Sequence, residues 1–167
     1  MHEYTQIYRE VLLVRLIRNL TPDEIYRRIC AFEDRYGLVF SDFEDEFFRK
    51  ERPKPQVSDY LEWASLVDAY RGYEEGGELD YTIEEFQEFS SKKLAYLTPK
   101  RLELLNHLAN TRVESINELA AKVKRNIKNV YGDLQVLKAL GLLVLKRREK
   151  RNVVPETMVK EITFLVR

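Results

Sequence analysis

The stretch SINELAAKVKRNIKNVYGDLQVLKALG, residues 115–141, decides how the chain folds. Ser115 is an N-cap residue, and Ile116, Leu119 and Val123 behind it recur at helical spacing. Lys124-Arg125-Asn126 then leaves no apolar residue for a turn's length, which predicts a tight reversal. From about Asn126 to Leu140 a second pattern begins. At 100° per residue Ile127, Val130, Leu134 and Leu137 gather on one face, and Arg125, Lys128, Asn129 and Gly132 on the opposite one. Gly141 marks its end. Two short helices joined by a tight turn, the second with a cationic, amide-bearing outer face, form the unit that lays a helix in a DNA groove.

On the N-terminal side, Thr98 and Pro99 supply a cap and a first helical position for a helix with Leu102, Leu105 and Leu108 inward. On the C-terminal side, Leu142–Leu145 reads as a strand and Glu149–Thr157 as a polar turn containing Pro155. Val159, Ile162, Phe164 and Val166 read as a final strand. Three helices and then a hairpin with a basic tip is the winged-helix order, so residues 79–167 are expected to be a winged helix-turn-helix. The hairpin carries Lys146, Arg147, Arg148, Lys150 and Arg151. Alternation of faces along a strand prevents all five from reaching one row of phosphates.

The rest of the chain differs in charge. Residues 1–96 hold 13 Lys and Arg against 21 Asp and Glu, a balance of −8, whereas residues 97–167 hold 15 against 7, a balance of +8. Net charge over all 167 residues is zero. One acidic and one basic half suggest partners of opposite sign, nucleic acid for the basic half and a basic protein for the acidic one.

The acidic half is expected to be a helical module over residues 1–78. Tyr4–Leu20 has mostly helical spacing, although its β-branched and aromatic residues leave a strand open. Thr21-Pro22-Asp23-Glu24 is a capping box opening a helix that buries Ile25, Ile29, Phe32 and Tyr36 and stops at Gly37. A short helix is expected over Asp42–Arg49, and a loop across Pro53 and Pro55. Ser58 or Asp59 then caps a helix carrying Trp63, Leu66, Val67, Tyr70 and Tyr73. Glu74-Glu75-Gly76-Gly77 ends it, followed by a short strand at Leu79–Ile83 and a helix near Glu84–Leu94. The Trp63/Tyr70/Tyr73 stripe reads as core before it reads as a binding site, but its width, with Tyr60 and Leu61 also apolar, makes Trp63 and Tyr70 candidates for partner binding.

The chemistry available narrows the function. Arg and Lys read guanine O6 and N7, and Asn reads adenine N6 and N7. The expected DNA contacts are therefore Lys124, Arg125, Asn126, Lys128, Asn129, Tyr131 and Gly132 on the helix, with Arg148, Lys150 and Arg151 on the wing. A glycine in mid-helix costs ~1 kcal/mol relative to alanine, a cost that close approach to a sugar–phosphate backbone justifies. The single cysteine, Cys30, excludes an internal disulfide and a cysteine-cluster zinc site, and reads as a small buried hydrophobe. Glu44, Asp45 and Glu46 are adjacent and point apart on a helix. His2 and His107 stand alone. With no Gly-rich phosphate loop and no nucleophile elbow, no enzymatic activity, metal or cofactor is assigned. No run approaches the ~18 apolar residues of a membrane span, and the reading is cytoplasmic.

A resemblance adds to this. Leu97-Thr98-Pro99-Lys100-Arg101-Leu102-Glu103-Leu104-Leu105, with Glu118-Leu119-Ala120 and Lys128-Asn129-Val130-Tyr131-Gly132-Asp133-Leu134, resembles an archaeal and bacterial family of antitoxin-like winged-helix regulators over about residues 79–167. Phe32–Gly37 and Glu62–Leu66 resemble a small helical antitoxin module, from which Pro53 and Pro55 depart. The resemblance implies a DNA-binding repressor whose other half grips a protein such as a toxin; winged helices usually act as dimers, so a homodimer is expected. The rival reading is a winged-helix adaptor within the transcription apparatus that lacks its own DNA specificity. A steep salt dependence of DNA affinity separates the two.

Overall fold

The computed structural model describes residues 11–49, 57–148 and 152–166. Tyr4 and the rest of the first segment up to residue 10, Pro53 and Pro55, and Lys150 and Arg151 lie outside them. The fold is α+β. Its elements are β1 (Val11–Asn19), α1 (Pro22–Tyr36), α2 (Phe40–Phe48), α3 (Val57–Gly76), β2 (Thr82–Ser90), α4 (Ser91–Ala95), α5 (Pro99–Asn110), α6 (Ile116–Lys122), α7 (Ile127–Ala139), β3 (Leu143–Arg147), β4 (Val153–Thr157) and β5 (Val159–Leu165). None of the helices is long and apolar enough to cross a membrane among the described residues.

The chain divides into two compact units, Asn19–Ile83 and the described parts of Met1–Arg18 with Glu84–Arg167. The first strand thus belongs with the C-terminal residues, and the helical unit interrupts them as an insertion. The charge split survives the shift of boundary. Residues 19–83 hold 8 Lys and Arg against 16 acids, again −8, which leaves +8 for the remainder.

In the helical unit, α1 opens with the expected box: Thr21 Oγ1 accepts from the Glu24 N–H, and Glu24 Oε2 accepts from the Thr21 N–H at 2.8 Å. Gly37 closes it in the left-handed region at φ 66°, where a side chain is strained. The core is Leu20, Ile25, Phe32, Phe43, Trp63 and Leu66. Trp63 lies at its centre, stacked on Phe32 at 5.3 Å and against Phe43 at 4.9 Å. Asp59 does not cap α3, which begins two residues earlier. It receives Tyr36 Oη at 2.5 Å and Arg35 Nη1 at 3.0 Å, lashing α3 to the end of α1.

The other unit is built on a three-stranded sheet ordered β2-β1-β5 and a two-stranded sheet of β3 and β4. Three expectations change here. The first segment is a strand where described, β1, which pairs antiparallel with β5 and sets Leu16 opposite Ile162. The helix expected near Glu84–Leu94 is a strand as far as Ser90, with only Ser91–Ala95 helical. Alternation governs it: Ile83, Glu85, Gln87 and Phe89 turn inward, and Thr82, Glu84, Phe86 and Glu88 outward. Glu85 is tolerated on the inner side because the Arg18 guanidinium grips both its oxygens, at 2.7 and 3.2 Å. The turn expected over Glu149–Thr157 holds β4 instead, and the final strand does not pair with β3. The Arg148 N–H bonds Asn152 C=O and the Met158 N–H bonds Leu142 C=O, so the bonded pairs fall at even positions of β3. Pro155, opposite Leu145, therefore lies at a non-bonded pair, where its missing N–H costs no ladder bond.

Val14, Leu16, Phe89, Leu104, Leu119, Val130, Leu134, Leu137, Leu142 and Val159 form this unit's core. Two inward assignments fail. Leu102 is 38% exposed, because a spacing of three drifts around the helix; the buried stripe of α5 runs 101, 104, 105, 108. Ile127 is 45% exposed. Periodicity fixes its angle about the α7 axis but not how far along that axis the covering elements reach.

Candidate nucleic-acid interface

Four residues separate α6 from α7. Lys124 takes φ 53°, and the Lys124 and Arg125 N–H groups return to the carbonyls of Ala121 and Ala120 at 3.2 and 3.0 Å. This closes α6 and turns the chain. Asn126 Oδ1 accepts the Lys128 N–H at 2.8 Å and caps α7. Its carbonyl oxygen is thereby committed to the helix. Val130, Leu134 and Leu137 anchor α7 with no exposure. On its outer side Lys128, Asn129, Tyr131 and Gly132 are exposed, Tyr131 to 50%. A Cβ at Gly132 meets nothing within 4 Å, so nothing inside the fold requires glycine there.

Between the first turn of α5 and this side of α7 lies an open cleft of about 810 Å³. Lys100, Arg101, Arg125 and Lys128 line it, with one carboxylate, Asp133. Asp133 Oδ1 accepts Arg101 Nε at 3.0 Å, and Oδ2 accepts Arg125 Nη2 at 2.5 Å. These three side chains are only 15–20% exposed. Arg125 is therefore a part-buried strut rather than a free cation, and its Nη1 is buried without an acceptor among the described residues. Lys100, Arg101 and Asp133 escaped the sequence reading as site residues, and Thr98 reads there only as the cap of α5. The signal was present. Asp133 falls on the apolar stripe of α7 with Val130, Leu134 and Leu137, and Arg101 on that of α5 with Leu104, Leu105 and Leu108. Opposite charges on two facing apolar stripes predict a pair between them.

The hairpin is less free. Lys146 Nζ lies 2.5 Å from Glu156, while Arg148 reaches Glu114 at 3.4 Å and Glu156 at 3.7 Å. Exposed pairs of this kind are worth at most ~1 kcal/mol and exchange readily for a phosphate. Lys150 and Arg151 lie outside the described residues.

In the helical unit, Trp63 is fully buried, so it supports the core and offers no partner surface. Tyr70 is half-buried and packs at 5.8 Å on Tyr26, which is 55% exposed. Tyr26, Tyr70 and Tyr73 form the aromatic surface that the sequence assigned to Trp63 and Tyr70. The Tyr26 hydroxyl is held above its usual pKa, chiefly by its hydrogen bond to Cys30.

Residues 96–164 match the protein family described as HVO_A0114. The match covers α5 to β5, the stretch that holds the cleft. No curated protein and no solved structure matches the chain.

Proposed function

We propose that the chain is a sequence-specific, double-stranded DNA-binding regulator. The observation that carries this is the cationic cleft beside α7, where four basic side chains meet one carboxylate next to an exposed Lys128, Asn129 and side-chain-free Gly132. The order α5-α6-α7-β3-β4 supports a winged helix-turn-helix, with α7 in the major groove and the hairpin on the backbone. Repression and antitoxin-like autoregulation follow from the resemblance and a homodimer from the winged-helix reading; these and a cytoplasmic setting belong to the same proposal. The −8 balance of residues 19–83 and the Tyr26/Tyr70/Tyr73 surface support capture of a basic protein.

The test selects an operator from random duplexes, then titrates operator and random DNA at several salt concentrations. Asn129→Ala weakens operator binding more than random binding, since a bidentate base contact is worth ~1–3 kcal/mol of discrimination. Arg148→Ala weakens both alike and flattens the log–log salt slope by about 0.9 if it touches one phosphate. Equal losses on both duplexes for Asn129→Ala would remove this helix as the reader. The adaptor reading has its own support in Ile127 and Tyr131, which place apolar surface beside Lys128. It predicts DNA binding too weak to select any operator.

A further inference from the structure

We infer that the cleft between α5 and α7 is a preset seat for one phosphodiester group, and that Asp133 is its positioning residue. The inference rests on the DNA-binding reading and deepens it. A bare cluster of cations repels itself and leaves its side chains in many rotamers. Here one carboxylate fixes two guanidiniums at once. Asp133 holds Arg101 by Nε and Arg125 by Nη2, and Arg101 is fixed again by Nη1 to the Tyr96 carbonyl at 3.0 Å. Each planar guanidinium keeps donors on its unused side, where a polyoxyanion can accept them.

Three further features point to an anion. Arg125 lines the cleft with its Nη1 buried and no acceptor for it among the described residues, a rarity in native structures. Lys100 and Lys128 are exposed at the cleft and form no ion pair among the described residues. The first turn of α5, a 12-residue helix, opens on the same space, and its dipole favours negative charge there. Four cations against one carboxylate leave an excess of +3, more than a single internal acid can satisfy. Asn129, on the rim, remains for a base edge. On this assignment Arg125 positions the duplex rather than reading it.

Simple electrostatics and positioning predict opposite signs for one substitution. Asp133→Asn removes a negative charge from beside the phosphate. If Asp133 only repels DNA, the variant binds random duplex more tightly and with a steeper salt slope. If Asp133 positions the guanidiniums, the variant binds about tenfold more weakly in spite of its added charge. The full-length chain is titrated with a random duplex and, separately, with inorganic phosphate, and the side-chain N–H signals of Arg125 are followed by NMR. Phosphate and duplex are expected to shift the same Arg125 signals, and Asp133→Asn to lose both responses. Lys100→Gln with Lys128→Gln, both at exposed positions, carries the test if Asp133→Asn melts. The pair should flatten the salt slope by about 0.9, the share of the one phosphate it seats, and abolish the phosphate shift. Tighter binding by Asp133→Asn, or an unchanged phosphate response in the double lysine variant, overturns the seat. A phosphate shift at Arg125 with no duplex binding keeps the seat as a site for free phosphate and overturns the DNA reading. Neither response overturns both.

Discussion

At the scale of single residues, Gly132 separates what the fold needs from what a ligand needs. Its surroundings leave open space for a Cβ, and its backbone is helical, so the protein alone gains from a side chain there. Gly132→Ala is expected to stabilise the chain by about 0.5–1 kcal/mol, read as a higher midpoint in denaturant. If α7 lies against a sugar–phosphate backbone, the same variant binds DNA less well. A variant that gains stability and keeps full affinity would show that the helix does not approach DNA through this position. Lys124 is the converse case. It adopts φ 53° with a side chain that is strained there, and it spends that conformation on turning the chain between α6 and α7.

At the scale of elements, the lash between α1 and α3 is pH-dependent. The Tyr36 hydroxyl, and after it Arg35, holds the Asp59 carboxyl below the usual carboxylate range, against an opposing push from burial. A carboxylate whose folded pKa lies below its unfolded value stabilises fully above the unfolded value and loses that contribution as pH falls through the folded one. Asp59→Asn is therefore expected to cost roughly 1–2 kcal/mol near neutrality, as a lost charge-assisted hydrogen bond does. The cost should shrink as pH falls below the usual carboxylate range and through the lowered folded pKa of Asp59. Urea midpoints of wild type and variant across pH 2–7 check it; a cost that persists at the acid end would mean that shape rather than charge makes the lash. The strand β2 shows how an element is misread. Glu84, Glu85, Gln87 and Glu88 favour a helix by propensity, but Arg18 satisfies Glu85 from β1 and Lys93 Nζ satisfies Gln87 at 3.1 Å, so the sheet can hold them.

At the scale of the whole molecule, the helical unit is an insertion between two strands of one sheet. Val14 and Leu16 of β1 and Phe89 of β2 are buried in the core shared with α5, α6 and α7. A chain cut to residues 97–167 loses all three and is expected not to fold cooperatively, since each large-to-nothing deletion in a core costs about 2–5 kcal/mol. Replacing residues 19–83 by a short glycine-rich turn is expected to preserve folding and DNA affinity, because Arg18 and Glu85 are already within 2.7 Å across the two strands. Calorimetry of both chains decides. A folded 97–167 fragment, or an unfolded chain with residues 19–83 replaced, would refute the insertion as the organising fact.

What the sequence determined by itself is local. The capping box at Thr21 and Glu24, the caps at Thr98, Ser115 and Asn126, and the apolar stripe of Val130, Leu134 and Leu137 arise from neighbours within a few residues, and the charge split from composition alone. Hydrogen bonds to the nearest free N–H and a 3.6-residue period need no distant partner. Only the tertiary structure decided which strands share a sheet, that Trp63 is core, and that Arg125 belongs to Asp133 and Arg101. Each of these depends on a partner far along the chain: β1 meets β5 across the whole molecule, and Arg101 meets Asp133 across two helices and two turns. No local pattern records which distant charge or strand edge will arrive, because that is set by how the cores close around it.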